Sequence, residues 1–155
     1  MIEQFRTLHI LNVFILFFLT LVLRIGLFFD MPEDINTGFL DLASKMLLES
    51  SKTSLFSPFL NITIAAIVVF LQALLFNRLM NEFGIIGKPT FLPALTFVLC
   101  SSFFTPFLFL SPVLLCNFLL IYVLFRTLSA TKEPLMVSAC FDLGLVIAIG
   151  TVIYL

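Results

Sequence analysis

The sequence predicts an all-α, polytopic transmembrane helical bundle, and three observations predict it. Hydrophobic residues make up 61% of the 155 positions and charged residues only 11%, whereas soluble domains carry about 25% charge. Mean hydropathy is +1.22, more apolar surface than a soluble chain of this size can hide. The apolar residues also fall in runs near the roughly 20 residues that cross a bilayer, and charge bounds those runs. A net charge of -1, with no basic run, excludes a basic nucleic-acid binder.

Taken in order, five spans are predicted within a single domain over 1–155: about 9–29, 59–80, 91–110, 112–128 and 136–155. The first is a retained anchor, because it is longer than a signal-peptide core and no small-residue cleavage pattern follows it. The charge-free run from Phe91 to Phe125 would make a helix of about 50 Å, too long for a hydrocarbon core of about 30 Å. It must fold back, at Ser111-Pro112 or at Pro106. Cys100, Cys116 and Cys140 sit inside apolar runs without metal-ligand spacing and read as small packing residues. No phosphate loop, haem-ligand pair or nucleophile elbow appears, so no cofactor is expected.

Lys/Arg bias sets orientation. Arg6, Arg78, Lys88, Arg126 and Lys132 fall on one side; Lys45 and Lys52 fall on the other, with Arg24 in the last turns of the first span. The amino terminus is therefore expected in the cytoplasm and the loop 30–57 outside. That loop opens with Asp30, Glu33 and Asp34, an acidic rim beside Arg24, which either snorkels outward or meets these acids. Within GFLDLASKMLLES (38–50), Phe39, Leu40, Ala43, Met46 and Leu47 share one helical stripe and predict an interfacial amphipathic helix. It either caps the bundle or borders a lipid-accessible pocket.

Polar residues inside spans call for a partner or a function. Asp142 lies seven residues into the fifth span, and the link SATKEPL brings it toward Arg126, predicting a buried structural ion pair or, less simply, a proton relay. Asn61 and Gln72 lie on one stripe of the second span, placed for interhelical hydrogen bonds or for a substrate. Cys140, Gly144, Ala148 and Thr151 form a small-residue face on the fifth span, with Asp142 turned nearly the other way. A helix of that kind calls for protein on both sides: a further subunit, or further chain beyond Leu155.

LQALLFNRLMNEFG (71–84), TFLPALTFVLCSSFFTPFLFLSPVLLCNFLL (90–120) and FDLGLVIAIGTVIYL (141–155) together resemble an uncharacterised family of bacterial multi-pass membrane proteins. The resemblance implies the bacterial inner membrane and a chain about twice as long, of which this is the amino-terminal half. That family is in turn distantly similar in architecture to polytopic glycosyltransferases using lipid-linked sugars. On that likeness Asp30 or Asp34 is the base or metal ligand and Arg24 a phosphate contact. The expected function is a structural or assembly subunit of an envelope complex, with further transmembrane helices on residues 136–155. A membrane glycosyltransferase-like enzyme is the alternative and a transporter component the third.

Overall fold

The computed structural model describes residues 10–29, 58–130 and 136–154, and among them every regular element is helical. In chain order these are α1 (Ile10–Val22), α2 (Ile25–Phe29), α3 (Pro58–Glu82), α4 (Leu92–Ser102), a 3₁₀ turn (Thr105–Phe107), α5 (Pro112–Ala130) and α6 (Met136–Tyr154). α3 is the central post, packed against α1, α4 and α5, while α6 lies along α5. Two helices are long and apolar enough to cross a membrane: Phe59–Glu82, with a mean hydropathy of 2.4, and Pro112–Ala130, with 1.9.

α3 buries amides and exposes large apolar side chains along most of its length. Its covered stripe holds Asn61, Ala65, Ala66, Val69, Gln72, Ala73 and Asn77, whereas Phe59, Leu60, Ile67, Leu71 and Leu75 face outward. Ile62 and Leu79 are buried as well, so the covered stripe mixes apolar residues with three amides, while large apolar side chains also fill the outer face, where water would favour polar ones. The buried alanines let neighbouring backbones approach. Leu16 of α1, Ala73 of α3, and Ala94 and Val98 of α4 form one core cluster, and Ala65 and Val69 of α3 with Leu114 of α5 form a second.

α3 ends in a Schellman turn: Ile85 N–H donates to the Met80 carbonyl and Gly84 N–H to that of Asn81. Gly84 takes φ +64° and Gly87 φ +77°, conformations in which a Cβ is strained. The Asn81 amide then clasps Thr90, donating to its carbonyl at 2.9 Å and accepting from its N–H at 3.0 Å. Pro93 in the first turn suits the start of α4, where no N–H is required.

Two of the five apolar runs are not continuous helices. The segment 91–110 is helical only over Leu92–Ser102, eleven residues or about 16 Å. Ser101 and Ser102 both turn their hydroxyls onto the Val98 carbonyl, and Pro106 two residues beyond Phe104 holds the chain in the 3₁₀ turn. The reversal thus uses both prolines, Pro106 inside the turn and Pro112 as the first residue of α5. The run 9–29 is also interrupted, by a turn at Leu23 and Arg24 between α1 and α2. The interfacial helix expected at 38–50, the acidic rim and the link 131–135 lie outside the described residues.

Candidate functional site: polar ties at the helix break

Between Ser102 and Pro112 the backbone leaves the α-helical ladder, and its amides and carbonyls need other partners. Two side chains from elsewhere in the fold, Arg24 and Asn61, and one within the break, Ser111, supply them, while Gln72 ties α3 to the first turn of α5. Arg24, only 1% exposed, donates from Nη2 to the Phe107 carbonyl at 2.7 Å. Asn61 Oδ1 accepts the Leu110 N–H at 2.8 Å. Ser111 donates from Oγ to the Pro106 carbonyl at 2.6 Å and accepts the Leu114 N–H at 3.2 Å, capping α5. Gln72 donates from Nε2 to the Leu114 carbonyl at 2.6 Å, while its Oε1 accepts from Asn117 Nδ2 at 3.0 Å.

This arrangement replaces the expectation that Arg24 snorkels outward. The turn at Leu23 and Arg24 aims the guanidinium into the fold, toward the end of the 3₁₀ turn, where carbonyls lack helical donors. Among the described residues no carboxylate pairs with it, and its Nε is buried without a hydrogen-bond partner. Asp30, Glu33 and Asp34, its expected acidic neighbours, lie outside the described residues. Asn61 and Gln72 do share a buried stripe, and both bond across to the chain of the break and α5.

At the other end, Arg126 Nη2 stands 3.2 Å from Asp142 Oδ2, tying α5 to α6. The pair was expected to be buried; within the described chain its side chains are 21% and 45% exposed, because α5 covers Asp142 from one side only. Below it, Cys116 Sγ points at the Gly150 carbonyl at 3.8 Å, and a Cβ on Gly150 would meet Leu119 Cδ1 at 3.7 Å. Gly150 is therefore the close-approach position of this helix pair.

Cys140, Gly144, Ala148 and Thr151 turn the other way and are exposed, and a Cβ built on Gly144 meets nothing within 4 Å. Among the described residues this face packs on nothing. Cys100 and Cys140 are exposed within the described chain and Cys116 is partly covered. No group of three His, Cys, Asp or Glu that could hold a metal ion occurs among the described residues.

Comparison with protein-family models, curated proteins and solved structures returns no match. The geometry of the chain itself carries the functional reading.

The structure brings Arg126 to Asp142 and engages Asn61 and Gln72 across the break; sequence reasoning named Ser111 only as the reversal point, not as a cap, and did not single out Asn117. Ser111 precedes Pro112, the signature of a cap followed by a first-turn proline. Asn117 carried a weaker signal: a lone amide in the middle of an apolar helix, five residues beyond its first proline.

Proposed function

We propose that this chain is a multi-pass protein of the bacterial inner membrane, with a cytoplasmic amino terminus, serving as a structural or assembly subunit of an envelope complex. The observation that carries this reading is the pairing in α3 of covered amides, Asn61, Gln72 and Asn77, with an apolar outer face of Phe59, Leu60, Ile67, Leu71 and Leu75. Surroundings as apolar as the helix itself favour that arrangement. Helices α1, α4 and α6 complete the five crossings in this reading, with α4 and the turn after it crossing as a short helix plus a tied, non-helical segment. Non-helical backbone at membrane depth persists only where protein satisfies it, which is what Arg24, Asn61 and Ser111 do.

The subunit role follows from where the polar side chains are engaged. They bind the chain's own backbone, which is framework chemistry, while the small-residue face of α6 stands ready for a helix from another part of the assembly. The test is the size of the particle extracted from membranes in mild detergent. The native chain is expected in a complex larger than a single copy, and Gly144→Leu, which blocks the small face, is expected to release it. One identical single-copy size for both chains would refute the subunit role. Orientation is tested separately: a reporter active only outside the cytoplasm should be active when fused after Ser51 and silent when fused after Lys88. The reverse pattern would overturn the orientation.

A further inference from the structure

The last turns of α3 place two charges between two clefts. On one side, a groove of about 460 Å³ between α3 and α5 is lined by Leu75, Leu79, Phe118, Ile121, Tyr122 and Phe125. Phe83 and Phe125 stack edge to face at 6.0 Å beside it. On the other side, a cleft of about 520 Å³ between α1, α3 and the start of α4 is bordered by Asn77 and Asn81. Arg78 and Glu82 line both.

The two charges are loosely joined. Arg78 Nε is 3.9 Å from Glu82 Oε2, and the side chains are 81% and 50% exposed, so each keeps hydrogen-bonding capacity for a ligand. Asn77 is 5% exposed, and its buried Oδ1 has no hydrogen-bond partner. An apolar slot thus opens beside a cation and an anion one helical turn apart, next to a polar cleft containing an unsatisfied acceptor.

That combination selects a ligand. A phosphate suits Arg78 but is repelled by Glu82 so close by, unless the same ligand brings a positive charge to the carboxylate. A primary ammonium two carbons from the phosphate does so and offers N–H donors, which a quaternary choline nitrogen lacks. A glycerol headgroup offers hydroxyls but no charge to offset Glu82. The apolar groove takes the hydrocarbon chain that such a headgroup carries. We propose that this end of α3 is a phospholipid site selective for the phosphoethanolamine headgroup. One acyl chain lies in the groove between α3 and α5, the phosphate is on Arg78 and the ammonium on Glu82.

The proposal rests on the membrane reading above, and the two are tested in sequence. Retention of the full chain in carbonate-washed membranes tests the membrane reading alone. Chain purified from those membranes is then exchanged against equal amounts of phosphatidylethanolamine, phosphatidylglycerol and phosphatidylcholine with matched acyl chains, and retained lipid is counted by native mass spectrometry. The native chain is expected to keep one phosphatidylethanolamine over either competitor by about tenfold, the ratio one charge-assisted hydrogen bond supports.

Arg78→Gln should lose retention of all three lipids. Glu82→Gln should retain lipid but lose the preference for ethanolamine over choline. Ile121→Trp, which fills the groove, should weaken all three. Both charged side chains are exposed, so their variants should melt as the native chain does, and a matched melting temperature separates a lost site from a lost fold. Equal retention of the three lipids by the native chain, unchanged retention in Arg78→Gln, or displacement of the bound lipid by inorganic phosphate would each overturn the proposal.

Discussion

Polar side chains gather around the break between α4 and α5, and small and polar residues line the outer helix α6, yet the fold treats the two sets oppositely. Around the break, Arg24, Asn61, Gln72 and Ser111 are buried and bonded to backbone. Along α6, Cys140, Gly144, Ala148 and Thr151 face outward, and the charged Asp142 reaches its partner from a half-exposed position. The difference teaches that backbone demand, more than residue type, decides where polarity is buried in an apolar chain. An unbroken helix satisfies its own amides and carbonyls. A broken one imports side chains to do so.

The strongest way to break this comparison is to remove Arg24. Arg24→Met keeps much of the side-chain volume but leaves the Phe107 carbonyl without its donor, and a buried group deprived of a charged partner costs about 1.5–3 kcal/mol or more. The yield of folded protein in membranes should fall sharply, and Arg24→Lys should recover part of it, because an ammonium can donate but lacks the planar fork. If Arg24→Met melts like the native chain, the guanidinium does not hold the break.

Gln72→Leu comes next. It strips the donor from the Leu114 carbonyl and the acceptor from Asn117, and hydrogen bonds between membrane helices average about 0.6 kcal/mol with a maximum near 1.7. A moderate drop in melting temperature in detergent is expected. Asn117→Leu in the Gln72→Leu background should add little, since its partner is already gone. Full additivity would show that the two amides do not interact.

The α5–α6 ion pair should matter less, because both groups are partly exposed and exposed pairs contribute about 0–1 kcal/mol. In a double-mutant cycle on Arg126→Gln and Asp142→Asn, the coupling should fall below about 1 kcal/mol. A coupling of about 3 kcal/mol would place the pair in a buried setting instead.

The smallest effect, and the one that sharpens the contrast within α6, compares its glycines. Gly144→Ala meets open space and removes the helix penalty of glycine, so it should raise stability by about 0.5–1 kcal/mol. Gly150→Leu, by contrast, drives side-chain atoms toward Leu119 and should lower it. Equal effects at the two sites would mean that α6 is rotated from the position described.

Much of this was legible in the sequence because it depends on local chemistry. The apolar runs gave helices near 9–29, 59–80, 112–128 and 136–155, and the prolines located the reversal before α5. The eleven-residue spacing of Asn61 and Gln72 gave a shared stripe. The SATKEPL link between Arg126 and Asp142 was short enough to bring the two together. Their degree of burial was not legible, since it depends on how many neighbours α6 has.

What the sequence determined by itself was helix content, the apolar character of the surface and the positions where a helix must stop, because hydropathy, proline geometry and glycine φ act within a few residues. What only the tertiary structure decided was the destination of each polar side chain. Arg24 lies 83 positions from the carbonyl it serves, and Asn61 lies 49 from the amide it accepts. The run Phe91–Leu110 contains no charge to announce that half of it would leave the helix. A broken backbone creates its unsatisfied groups locally, but which distant side chain answers them depends on the packing of α1 and α3 around the break.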